Sequence, residues 1–293
     1  MLQHKRILIV GGGIGGTIVA NLLAHQLDPD KARVTLIEST GRHAYMPGWL
    51  YLPFNHEDLE SSQIVRKEGD LLHRHVRHIC GTVMHIDTQN REVFVQASPG
   101  MDGIGGTGGA VEATYAYDYL VLATGARLAP EDVPGLSAPE DRNGWHHFYS
   151  ENGAFHLRHA LQTFTGGRIV IAIGGIPYRC PPAPLEFAFL LEEWLTKQSL
   201  RSRTEIQYLF PLPRVFPIES VAETVEPLLK ERHIHSTVFF NTERVNTKSK
   251  IISSLEGEEV PYDLLVLVPP HRGASVVEKS GLGDAQDTIP SYV

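Results

Sequence analysis

Short apolar runs closed by turn residues alternate along this chain with segments whose apolar positions recur every three or four residues. Ile7–Val10 reads as a buried strand that meets Gly11 at once. Ile14–Leu27 has helical spacing and is ended by Asp28-Pro29-Asp30, and Val34–Ile37 reads as a second strand. Together they predict a βαβ unit of about 30 residues. Strands are predicted at Ile79–Ile86, Arg91–Ala97 and Tyr119–Ala123, with the Gly-rich stretch Ser98–Ala110 as a hairpin tip leading into Val111–Tyr117. Ala129–Gly144 is rich in Pro, Gly and charge and reads as a linker. Beyond it the alternation resumes: helix Ala154–Phe164, strand Arg168–Ile173, helix Ala183–Lys197, strand Glu205–Phe210, helix Ser220–Glu231, strand Ser236–Asn241, a hairpin from Glu243 to Val260 and strand Leu264–Val268.

The expected fold is therefore α/β with two Rossmann-like domains. The expected boundaries are 1–128 for a first, nucleotide-binding domain, 129–150 for a linker, 151–270 for a second domain and 271–293 for the start of a return to the first. A length of 293 residues suits two domains. Hydrophobic residues at 42% and charged residues at 20% fit a globular chain, and a formal charge of −8 argues against nucleic acid as a partner. Two cysteines, Cys80 and Cys180, make no disulfide framework and point to a reducing compartment. The longest apolar runs fall far short of the roughly 18 residues of a membrane span. Arginines interrupt His73–His78, which lacks metal-ligand spacing, so no metal site is expected.

Gly11, Gly13 and Gly16 form G-x-G-x-x-G between a strand and a helix, with Glu38 at the end of the next strand. Glycines there make the turn and let a pyrophosphate approach the helix N-terminus, while the acid accepts ribose hydroxyls and repels a 2′-phosphate. The corresponding turn of the second domain reads Ile173-Gly174-Gly175-Ile176-Pro177-Tyr178-Arg179-Cys180-Pro181-Pro182-Ala183-Pro184-Leu185-Glu186. That turn lacks the fingerprint, and its prolines remove N–H donors. Cys180, past a strand and before a Pro-opened helix with Arg179 adjacent, is expected to favour its thiolate. Glu186 falls in that helix's first turn, and Cys80 reads as core.

The segment Tyr117 to Ala126, with Ala123-Thr124-Gly125 at its turn, resembles the Ala-Thr-Gly element of two-dinucleotide-binding-domain flavoproteins. The resemblance implies FAD in the first domain, with Ala123, Thr124 and Gly125 near the flavin nucleotide and the Val83 backbone near the adenine. The Tyr-Arg-Cys-Pro-Pro-Ala-Pro-x-Glu stretch, Tyr45-Met46-Pro47-Gly48-Trp49 and Pro211-Leu212-Pro213 are similar to sulfide:quinone oxidoreductase and the flavoprotein subunit of flavocytochrome c sulfide dehydrogenase. This implies sulfide and quinone as substrates, a Cys180 persulfide, and Cys180 and Glu186 as catalytic residues. Members of that family continue for on the order of 100 residues more. That segment carries a Gly-Asp element, a second redox cysteine and membrane-facing helices, and the chain is expected to stop short of it. FAD binding is then expected to be weak. The expected location is cytoplasmic or peripheral on the inner face of the cytoplasmic membrane, with a homodimer as one form. Two other readings stay open: a non-catalytic nucleotide-binding remnant and, less favoured by the missing second glycine motif, an NADH:quinone oxidoreductase.

Overall fold

The computed structural model describes residues 4–54, 61–97, 111–136 and 144–283. The expected hairpin tip 98–110 and the end from 284 onward lie outside these residues. The chain divides into two compact units: Met1–Tyr45, Val65–Arg127 and Arg272–Val293 form the first, and Met46–Ile64 with Leu128–His271 forms the second.

In the first unit, β1 (Lys5–Val10), α1 (Ile14–Gln26) and β2 (Ala32–Glu38) make the expected βαβ unit. They are followed by β3 (Arg42–Ala44), β4 (Val65–Lys67), β5 (Val76–Asp87), β6 (Glu92–Ala97), β7 (Val111–Ala116) and β8 (Tyr119–Leu122). The main sheet runs β7-β6-β5-β2-β1-β8, and β3 pairs with β4 separately. β5 is used twice. Its first half pairs parallel with β2, Glu38 opposite Cys80, and its second half pairs antiparallel with β6. Ile9, Leu36, Ile37 and Ile79 are sealed from solvent, each worth about 1.5–3 kcal/mol of burial.

The helix α1 buries small residues at the centre of its packed face, with Val19 and Leu23 partly buried beside them. Gly16, Thr17, Ala20 and Ala24 are its buried face, whereas Ile14, Ile18 and Leu22 are exposed. The small face lets the helix start close against the glycine loop: a Cβ on Gly16 would stand 1.8 Å from the Gly11 carbonyl oxygen.

β9 (Ala126–Leu128) and β17 (His271–Gly273) span the positions where the chain passes between units. In the second unit α2 (Ser61–Ile64) precedes α3 (Glu151–Thr163), whose N-cap Ser150 accepts the Gly153 N–H at 3.1 Å. Then come β10 (Gly167–Ile173), α4 (Ala183–Lys197), β11 (Thr204–Leu209), α5 (Glu219–Glu231), β12 (Ile234–Thr237), the meander β13 (Thr242–Asn246), β14 (Ile251–Ser254) and β15 (Glu259–Pro261), and β16 (Leu264–Val268). The last helix, α6 (Ser275–Lys279), belongs to the first unit and packs on β5. The sheet order β12-β11-β10-β16 is all parallel, so the strand order reverses between β10 and β16, where open α/β sheets bind ligands.

Two sequence expectations need correction. The segment read as a linker is part of the second unit's core: Val133 and Trp145 pack with Val170, Leu209, Leu265 and the meander, and Phe148 and Tyr149 are buried. Its Pro and Gly content masked these aromatic anchors. Residues 46–64 group with the second unit, not the first, because Trp49, Leu50, Leu52 and Phe54 are buried and Phe54 lies 5.1 Å from Phe187 of α4. No helix among the described residues is long and apolar enough to cross a membrane.

Candidate functional site

The glycine loop of the first unit divides its labour. Gly11 has φ of +110°, and a Cβ there would come 2.2 Å from the Ala123 carbonyl oxygen. Ala123 is itself fixed by its N–H donating to the Val10 carbonyl at 2.8 Å. The structure thus brings Gly11, Gly16 and Ala123 together. Gly125, with φ of +64°, turns the chain two residues later, past Thr124. Gly13 and Gly15, by contrast, have nothing within 4 Å of a Cβ position. The N-cap Gly13 gives α1 no capping side chain, and no acid lies in its first turn. Free N–H groups, open space and a positive helix end suit a pyrophosphate.

Glu38 is buried, and its carboxylate accepts from the Thr40 N–H at 2.7 Å, the Gly41 N–H at 2.8 Å and His78 Nε2 at 2.8 Å. Burial alone would raise its carboxyl, but hydrogen bonds from His78, Thr40 and Gly41 outweigh that and hold it below the usual range. It is therefore an anion at neutral pH, though one already engaged by protein donors. Val83 lies in the antiparallel half of β5 opposite Val95 and packs against the cluster of Leu8, Ile37, Ile79 and Val95.

Sequence reasoning missed a second acid. Glu68, fully buried, accepts from Thr17 Oγ1 at 2.6 Å and lies 2.9 Å from His43 Nδ1, which is 3.1 Å from the Gly12 carbonyl oxygen. No motif links positions 17, 43 and 68; the pairing of β3 with β4 brings 43 and 68 together, beside Thr17 of α1.

In the second unit the equivalent turn is filled. Cβ positions on Gly174 and Gly175 would meet Leu267 at 2.9 Å and Pro270 at 2.8 Å. Cys180 follows, exposed and with φ of +56°, a conformation rare outside glycine and found at functional sites. Its carbonyl accepts the Ala183 N–H at 3.0 Å. The expected thiolate preference is not supported: desolvation raises the Cys180 thiol, the Ala183 N–H opposes this weakly, and the Glu186 charge raises it further. Arg179 turns away, with Nη1 3.1 Å from Met46 Sδ and Nη2 3.4 Å from the Tyr149 carbonyl oxygen. Glu186 is exposed in the first turn of α4, as expected. Cys80 is buried, as expected.

Behind this loop stand neutral polar groups. His271 donates its backbone N–H to the Pro177 carbonyl at 3.3 Å, and its Nδ1 lies 3.0 Å from the Pro269 carbonyl oxygen, which leaves Nε2 bare. Its ring meets Tyr149 edge-on at 5.2 Å. Tyr149 OH, Tyr208 OH and His271 Nε2 are buried without a partner among the described residues, and burial holds both phenols protonated.

His147, like His271, is pushed down to about 4, by burial first and then by neighbouring positive groups. Between pH 6.5 and 4 the unfolded chain binds protons that these rings refuse when folded, so the stability present above 6.5 is lost as pH falls. The loss should approach roughly 3 kcal/mol per ring by pH 4. Urea unfolding at pH 7.5 and 5.0 should show this, and His147→Gln with His271→Gln should reduce the dependence to the part left by His146, which burial also pushes down to about 4. An unchanged slope in the double variant would refute the assignment.

A glycine loop open to an anion at the end of β1, on a sheet of Rossmann type, defines an α/β protein of Rossmann-like fold; a second unit of the same strand logic follows it. Residues 5–268 match the pyridine nucleotide-disulphide oxidoreductase family, and the chain belongs to it. It is 25% identical over 286 residues to the mitochondrial sulfide:quinone oxidoreductase of Dictyostelium discoideum, covering 95% of this chain and 59% of that protein. It is also 25% identical to the sulfide-quinone reductase of Aquifex aeolicus, covering 94% of this chain and 61% of that one. Among solved structures, the sulfide:quinone oxidoreductase of Aquifex aeolicus shares the fold at a TM-score of 0.76 and 24% identity, covering 97% of this chain and 63% of that one. NDH2 of Plasmodium falciparum, solved with NADH, matches at 0.72 and 15% identity, covering 95% and 57%. The chain thus spans about three fifths of the length of these relatives.

Proposed function

We propose that the first unit binds FAD and that the chain carries the sulfide-oxidising half of a sulfide:quinone oxidoreductase. Open space at Gly13 and Gly15 and the uncapped start of α1 support the pyrophosphate site. The Glu38 anion disfavours a phosphorylated ribose, and Ala123, Thr124, Gly125 and the Val83 backbone would flank the rest of the nucleotide. FAD, when bound, supplies a two-electron acceptor. Cys180 would be the nucleophile: one S–S bond forms to sulfide sulfur, two S–H bonds break, and two protons and two electrons leave, with a quinone as final acceptor. Glu186 would set the charge beside that thiol.

The observation that carries the reading is Cys180 held at φ of +56° beyond β10, in the place where a second dinucleotide turn would lie but where Leu267 and Pro270 fill the space. A second reading, nucleotide binding without turnover, is favoured by the raised Cys180 thiol. Anaerobic addition of sulfide, and separately of NADH, to the FAD-loaded protein separates these. Sulfide should bleach the flavin band and NADH should not. Bleaching by NADH would revive a dehydrogenase, bleaching by neither would favour the binding-only reading, and no flavin uptake would end the cofactor assignment.

A further inference from the structure

Glu68 has no exposed surface, and a buried carboxylate is costly unless its oxygens are matched. Its partners are all on the nucleotide side of the first unit. Thr17 Oγ1 donates to Oε1 at 2.6 Å, and one turn on, Asn21 Nδ2 donates to the Leu71 carbonyl at 2.9 Å while Asn21 Oδ1 accepts the His73 N–H at 2.7 Å. The turn Glu68–Leu71 is thereby strapped along α1. The Glu68 N–H itself donates to the Gly41 carbonyl at 3.0 Å. On the other side, His43 Nδ1 lies between Glu68 Oε2 at 2.9 Å and the Gly12 carbonyl oxygen at 3.1 Å. Two acceptors flanking one nitrogen put its proton there, shared between them. A Cβ on Gly12 would meet Glu38 Cγ at 2.6 Å and Glu68 Cδ at 3.3 Å, so the two acids clasp the middle glycine of the loop.

We propose that Glu68 is a positioning residue of the nucleotide loop: through His43 it holds the Gly12 carbonyl, and through Thr17 the first turn of α1. The loop's N–H groups then stay arranged for a dinucleotide's pyrophosphate. This rests on the FAD reading for its ligand, though not for its mechanics.

Glu68→Gln isolates the effect. The amide oxygen still accepts from Thr17 and the volume is unchanged, but the amide N–H₂ donates to His43 Nδ1, which can then no longer donate to Gly12. Hydrogen exchange of the ligand-free protein should show amides of residues 11–17 exchanging about tenfold faster, with β10 unaffected. FAD affinity, read by flavin fluorescence, should fall about tenfold. Thr17→Val should move both readouts in the same direction by less. Unchanged exchange at 11–17 in Glu68→Gln, or faster exchange spread equally over both units, overturns the proposal. If the wild type takes up no FAD while the loop exchanges as expected, the cofactor reading fails and the positioning role stands.

Discussion

Gly11→Ala and Gly16→Ala should unfold the first unit, whereas Gly13→Ala should leave it folded and lose the nucleotide. Gly11 combines φ of +110° with a Cβ 2.2 Å from the Ala123 carbonyl oxygen, and Gly16 would drive its methyl to 1.8 Å from the Gly11 carbonyl oxygen. Both obstacles are backbone, held by the Ala123 N–H donating to the Val10 carbonyl and the Gly11 N–H donating to the Ile37 carbonyl, each at 2.8 Å, so neither can rotate away. Strain of this kind costs roughly 3 kcal/mol or more per site, a large part of the stability of a marginally stable domain. At Gly13 the φ of −79° is open to any residue and a Cβ meets nothing. Among the described residues nothing stands in the way of a methyl there, so what it would obstruct is a bound nucleotide. Circular dichroism melts should separate the three: early loss of structure for Gly11→Ala and Gly16→Ala, and a near wild-type curve with much weaker flavin uptake for Gly13→Ala. A normal melt for Gly16→Ala would contradict the close contact between the start of α1 and the Gly11 carbonyl.

That split among three glycines of one motif shows what sequence carries. The fingerprint gave the loop's location, because spacing and flanking apolar runs are local. Which glycine answers to the fold and which to a ligand depends on Ala123, more than a hundred positions away. Strand and helix runs such as Leu264–Val268 and Ala183–Lys197 were legible to the residue, since burial at a fixed period writes itself into the chain. The direction of α1 was not: its bulky residues run all round it, and the face that packs centres on Gly16, Ala20 and Ala24 with Val19 and Leu23 at its edges, leaving Ile14, Ile18 and Leu22 exposed. Trp145, Phe148 and Tyr149 were hidden in a segment whose composition reads as linker. The clasp of Glu68 and His43 has no signature at all, because short strands β3 and β4 assemble it from separated positions.

The Cys180 thiol is where local reading and three-dimensional setting disagree in sign. An adjacent arginine and a helix N-terminus argue for a thiolate, but Arg179 is committed to Tyr149 and Met46, and Pro181, Pro182 and Pro184 offer no N–H. What reaches the sulfur is desolvation, opposed by the Ala183 N–H, and then the Glu186 carboxylate, with a net balance that favours the thiol. In native protein, iodoacetamide should therefore label Cys180 slowly at pH 7 and faster as pH rises, with Cys80 labelled only in denaturant because it is buried. Glu186→Gln should shift the Cys180 labelling curve to lower pH, since removing the negative charge lowers the thiol. If Cys180 is the nucleophile, Cys180→Ala should cut sulfide-driven flavin bleaching by roughly a thousandfold or more, while Glu186→Gln should make bleaching faster near neutral pH. A Cys180→Ala protein that still bleaches at the wild-type rate would remove the cysteine from the reaction. A Glu186→Gln curve displaced to higher pH would show instead that Glu186 acts as a proton acceptor for the thiol and not as a charge that opposes its ionisation.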